Sequence, residues 1–139
     1  MAKICGIELK SSDAILAVIE ESDGDVEFID VEPRKINIEN DESCADVQSF
    51  YDSFVNFLRT HHIDVVVVKK RAKKGKMAGG AVSFKLEALI QLNGAVGVKF
   101  VSGQGIAAAN KREPFDIPQD LNKYQEAAFM AASLYTRQN

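Results

Sequence analysis

Residues Ile63-Asp64-Val65-Val66-Val67-Val68 run straight into Lys69-Lys70-Arg71-Ala72-Lys73-Lys74-Gly75-Lys76. A short, almost unbroken β-branched run fits a strand buried on both faces, as in the interior of a sheet with crossover helices. Six of the eight positions from 69 to 76 are basic. Gly79-Gly80 follow, where backbone can approach a ligand closely. Val82, Leu86, Leu89, Ile90 and Asn93 then recur at helical spacing. Sites in such sheets collect at the carboxyl ends of strands, and a helix N-terminus favours anions. The end of this strand is therefore where a working site is expected. The Gly-x-x-x-x-Gly-Lys-Ser/Thr spacing of a nucleotide-binding P-loop is absent.

Charge sharpens that expectation. The formal net charge is −3, yet residues 1–42 carry twelve acidic and four basic side chains, whereas 69–76 carry only basic charge. One concentrated cationic segment on an otherwise acidic chain makes a local anion site, not a general polyanion coat. Aromatic residues do not interleave with the lysines, which argues against stacking on single strands. No apolar run approaches the ~18 residues of a membrane span. The start, Met1-Ala2-Lys3-Ile4, lacks a signal-peptide pattern, so a soluble cytoplasmic protein is expected. Cys5 and Cys44 fit neither a disulfide framework nor a metal spacing. His61 and His62, adjacent at a helix end, suit the helix dipole better than a ligand role.

The rest of the chain supplies a single domain spanning 1–139. Lys3–Leu9, Ala14–Ile19 and Val26–Val31 read as three strands, the last two joined by Asp23-Gly24, a hairpin dipeptide. Residues 36–42 read as loop. Ser43-Cys44-Ala45-Asp46 resembles a capping box opening a helix that buries Val47, Phe50, Tyr51, Phe54, Phe57 and Leu58. After the valine strand and its helix, Val96, Val98, Phe100 and Val101 give a fifth strand. Gly103-Gln104-Gly105 reads as a turn, and Leu121, Tyr124, Ala128, Ala131 and Tyr135 mark a last helix. The predicted architecture is α/β, a mixed five-stranded sheet of three antiparallel strands and then two parallel ones, flanked by helices.

This order resembles the ribonuclease H-like fold. Ile4-Cys5-Gly6-Ile7-Glu8 is similar to the hydrophobic-Gly-Ile-Asp opening of the Holliday-junction resolvase branch, where the Asp binds metal; the resemblance puts Glu8 in that role. The branch's second carboxylate, at the end of the fourth strand, is matched here by Lys69 or Lys70. Its acid on the last helix is matched by Glu126 in Gln125-Glu126-Ala127-Ala128. The Lys-Lys-Arg-Ala-Lys-Lys-Gly-Lys loop also resembles a small, functionally uncharacterised bacterial family of this fold.

Two-metal phosphoryl hydrolysis needs several convergent carboxylates holding ions ~3.5–4 Å apart, and magnesium or manganese wants oxygen ligands. Glu8 and Glu126 are the candidate catalytic or metal-binding acids, with Asp116 and Asp120 in reserve. A lysine in a ligand's place works against a dication and supplies a fixed counter-ion for Glu8 instead. The favoured expectation is a nucleic-acid- or phosphate-binding domain. Lys69, Lys70, Arg71, Lys73, Lys74 and Lys76 would contact phosphates, with weak or no nuclease activity and no cofactor. The alternatives are a magnesium- or manganese-dependent phosphodiesterase using Glu8 and Glu126, and a non-catalytic interaction module, a homodimer whose loop docks on an acidic partner.

Overall fold

Strand β1 (Ala2–Lys10) is the spine of the molecule, and its alternation divides the core in two. Cys5, Ile7 and Leu9 face one layer and Ile4 and Gly6 the other, as the two-residue period of a strand requires. The computed structural model describes residues 1–72 and 80–138. Within them β1 pairs antiparallel with β2 (Asp13–Ser22), and β2 with β3 (Asp25–Ile29). Asp23 and Gly24 both have positive φ, the twisted two-residue turn that Asp-Gly favours. On its other side β1 pairs parallel with β5 (Val65–Lys69), which pairs parallel with β6 (Gly97–Val101). The sheet order is β3-β2-β1-β5-β6, so the expected three antiparallel and two parallel strands are present.

One strand was not anticipated. The short β4 (Lys35–Asn37) pairs antiparallel with the start of β2 and turns Ile36 into the core. Its alternating exposed, buried, exposed pattern is too brief to separate from loop chemistry in a polar stretch.

Helices α1 (Cys44–Thr60) and α2 (Ala81–Gln91) cover one face of the sheet. Phe50, Phe54, Phe57 and Leu58 from α1 and Leu86 and Ile90 from α2 pack on Ile7, Leu9, Leu16, Val66 and Val68. Ser43 caps α1 by accepting from the Asp46 amide at 3.2 Å, as expected. Asp46 completes the motif differently, because its carboxylate accepts from the Asn40 amide and not from Ser43. After α2, Asn93 is buried and holds the turn: its amide group donates to the Ile90 and Val96 carbonyls, and its oxygen accepts from the Ala95 and Val96 amides.

The opposite face carries α3 (Gly103–Arg112) and α4 (Glu126–Gln138), the latter led in by a 3-10 turn over Lys123–Gln125. The Gly103-Gln104-Gly105 stretch is the first turn of α3, not a free turn, since Ser102 caps it by accepting from the Gly105 amide at 2.9 Å. The last helix begins later than its periodicity suggests. Leu121 is buried ahead of it, and Tyr124 lies half-open under the Lys35 ammonium, 4.5 Å from the ring centre. Ala128, Ala131 and Ala132 are wholly buried against Ile4, Ile15, Ala17 and Val67. At the far end the Arg137 guanidinium donates to the Glu113 carbonyl at 2.8 Å and lies over the Phe115 ring, pinning α4 to the end of α3. Among the described residues, no helix is long and apolar enough to cross a membrane.

Candidate functional site

The carboxyl ends of the parallel pair β1 and β5 meet under the α3–α4 layer, and the register there sets the site. Glu8 stands opposite Lys69 in the ladder, so Lys69, and not Lys70, occupies the strand-end place facing the acid. Glu8 follows Gly6 by two residues and Lys69 follows Val67 by two, so both emerge on the α3–α4 side. Their side chains form an ion pair, with Nζ of Lys69 3.6 Å from Oε2 of Glu8. The side chains keep 28% and 16% of their accessibility, so the pair is neither dry nor freely solvated. The Lys69 stem runs past Gly103 at the start of α3, where an added Cβ would just touch its Cε at 3.4 Å.

Lys70 is exposed, and its backbone amide continues the β5–β6 ladder by donating to the Val101 carbonyl at 2.8 Å. Arg71 is half-buried, and its Nε has no hydrogen-bond partner among the described residues. Lys73, Lys74 and Lys76 lie outside the described residues.

The last helix meets the sheet through a residue that sequence reasoning passed over. Gln125 is 2% exposed, and its Nε2 donates to the Leu16 carbonyl at 2.9 Å. Its Oε1 accepts from the backbone and side chain of Asn122. Leu16 lies in β2, so this bond ties the turn before α4 to the sheet. Glu126, one residue on, is half-buried, and its side chain makes no hydrogen bond or ion pair among the described residues. Asp116 and Asp120 are exposed on the connection before the last helix. The signal for Gln125 was its position: it leads the Ala128, Ala132 stripe at helical spacing, and a lone polar residue on a buried stripe must have a partner.

A divalent ion does not fit this donor set. No group of three or more His, Cys, Asp or Glu side chains converges among the described residues. Among the described residues Glu8 is ion-paired to an ammonium, and the polar residue buried by the turn before α4, Gln125, is a neutral amide already donating to a carbonyl. Two unit charges ~4 Å apart at an effective dielectric of ~20 interact by about 4 kcal/mol. A dication beside Lys69 would meet roughly twice that repulsion before solvent screening reduces it.

The whole-chain geometry is shared with known resolvases. The fold superposes on the Thermus thermophilus RuvC structure with a TM-score of 0.73 at 11% identity, over 98% of this chain and 96% of that one. It superposes on T. thermophilus RuvC in complex with a Holliday junction substrate with a TM-score of 0.70 at 11% identity, over 100% and 97%. The fowlpox virus Holliday junction resolvase gives 0.56 at 15% identity, over 99% of each chain. At such identities the likeness establishes the ribonuclease H-like fold and nothing finer. No curated protein matches the sequence. Residues 2–135 match one family along nearly their whole length, and the chain belongs to that family, described as "Protein of unknown function (DUF3010)".

Proposed function

We propose that this protein binds nucleic acid by its phosphates at the carboxyl end of β5 and does not cleave it. The observation that carries the proposal is the Glu8–Lys69 ion pair. It lies at the strand end where this fold brings β1 and β5 together, and it gives that place a cation in exchange for a carboxylate. Lys70 and Arg71 extend the positive charge outward, and Lys73, Lys74 and Lys76 continue it along the sequence. One solved neighbour of the same fold holds a Holliday junction substrate, which makes branched duplex DNA the first ligand to try.

The test is fluorescence anisotropy on a labelled duplex and a labelled four-way junction over a salt series. Binding to phosphates releases counterions, so log K is expected to fall linearly with log salt by ~0.9 per phosphate neutralised on B-form DNA. Reversing Lys70 and Arg71 together should lower the slope by close to two such steps. A flat salt response overturns the proposal. The same samples with magnesium or manganese should show intact DNA, and metal-dependent cleavage abolished by Glu8→Gln would establish the phosphodiesterase in its place. Self-association without nucleic-acid affinity would favour the interaction module.

A further inference from the structure

The Glu8–Lys69 pair also decides how the site is charged. We propose that Lys69 is the site's resident cation. Its ammonium takes the position and the neutralising role that a divalent ion would otherwise have beside Glu8, so this strand end works without metal. The inference rests on the proposed function for what the site is for, but not for how it is charged.

Three features of the structure carry it. The Lys69 ammonium is 3.6 Å from the Glu8 carboxylate, close enough for its charge to repel a cation bound to that acid. The register keeps the two backbone positions opposite each other, because Lys69 and Glu8 are direct partners in a parallel ladder. The lysine also leaves β5 against the first turn of α3, at Gly103. The positive end of that helix and the ammonium together already oppose the single carboxylate. An incoming dication would find one acid, shared with a lysine, next to a positive helix end. From the turn before α4 it would find the Gln125 amide nitrogen directed to the Leu16 carbonyl. Hard cations need several oxygen ligands, and among the described residues no three His, Cys, Asp or Glu side chains converge.

Removing the ammonium should therefore unmask Glu8. The experiment is a manganese titration followed by amide NMR of the full chain, with no nucleic acid present. The wild type is expected to show no selective paramagnetic broadening of Gly6, Ile7 and Glu8 at millimolar Mn(II). Lys69→Met should show it at an at least tenfold lower concentration, and Lys69→Met/Glu8→Gln should return to the wild-type response. Lys69→Gln replaces Lys69→Met if the latter does not fold. Selective broadening around Glu8 in the wild type overturns the inference. So does a Lys69 variant that responds no more than the wild type, or a double variant that keeps the gain. Because the titration contains no DNA, its failure is separate from a failure of the nucleic-acid proposal.

Discussion

Gly6 lies directly beneath the carbonyl of Ala128, so close that a Cβ on Gly6 would fall inside the contact radius of that oxygen. This contact sets how near α4 comes to the centre of the sheet, and the buried alanines at 128, 131 and 132 continue the close approach along the helix. The atom in the way is backbone and cannot rotate aside. Gly6→Ala is expected to destabilise by the upper end of the ~1–3 kcal/mol typical of overpacking, or more. A urea melt checks this, and a midpoint unchanged from wild type would show that α4 is free to lift.

Gln125 and Leu16 make the second prediction. The bond between them is buried and joins positions 109 residues apart. Gln125→Ala removes a donor from an enclosed carbonyl and opens a void under the helix start. The expected cost is about 1–3 kcal/mol for the orphaned acceptor, with a further cavity contribution. The comparison variant is Glu126→Ala, whose side chain has no partner among the described residues and whose loss should cost under ~0.5 kcal/mol. Equal effects in thermal melts would mean that Gln125 does not anchor the helix.

These two contacts show where sequence reasoning stops. Every strand but β4 was legible because it carried its own signal: the valine run for β5, the alternation of β1, and Asp23-Gly24 for the hairpin. The cap at Ser43 was legible for the same local reason. Helix α3 was missed because its first turn holds two poor helix formers, Gly103 and Gly105, and its stability comes from the Ser102 cap and from Ile106 and Ala109 packing under α4. Its identity is a tertiary property. The place of the site was legible too, since a buried strand ending in lysines points to a strand end. Which lysine faces Glu8 was not, because only the ladder register separates Lys69 from Lys70. That the turn leading into α4 buries Gln125 and leaves Glu126 half-exposed depends on the rotation of a helix whose start the sequence placed too early.

The two cysteines should behave as opposites. Cys5 is wholly buried in β1, and burial pushes its thiol far above the ordinary cysteine range. Cys44 is exposed at the first position of α1. Alkylation of the native protein by iodoacetamide is expected to label Cys44 alone, and Cys5 only at the rate of unfolding. The linkage has a definite sign. Below about pH 8.5, where an unfolded cysteine ionises, Cys5 is protonated in both states and adds no pH dependence. Above it the unfolded chain loses a proton that the folded chain keeps, so stability falls as pH rises. Cys5→Ala should therefore show a shallower alkaline loss than wild type in denaturant melts at pH 8, 9 and 10. Equal slopes would mean that the thiol ionises in place.

Glu8→Gln separates binding from cleavage by the sign of its effect. If Glu8 held a catalytic metal, the substitution would abolish activity and leave DNA affinity unchanged or weaker. With Glu8 paired to Lys69 it removes the acid that neutralises the ammonium at the strand end. The charge is then free for phosphate. A partly exposed ion pair is worth ~0.2–1 kcal/mol, so freeing its lysine should tighten DNA binding by up to about fivefold at low salt. The salt slope should steepen by no more than ~0.9, the contribution of one further neutralised phosphate. Lys69→Met/Glu8→Gln should cancel the gain, because the lysine that supplies it is gone. Anisotropy titrations at two salt concentrations read all of these quantities. A Glu8→Gln variant that binds DNA more weakly than wild type would mean that Glu8 supports the ligand site, not that it restrains Lys69.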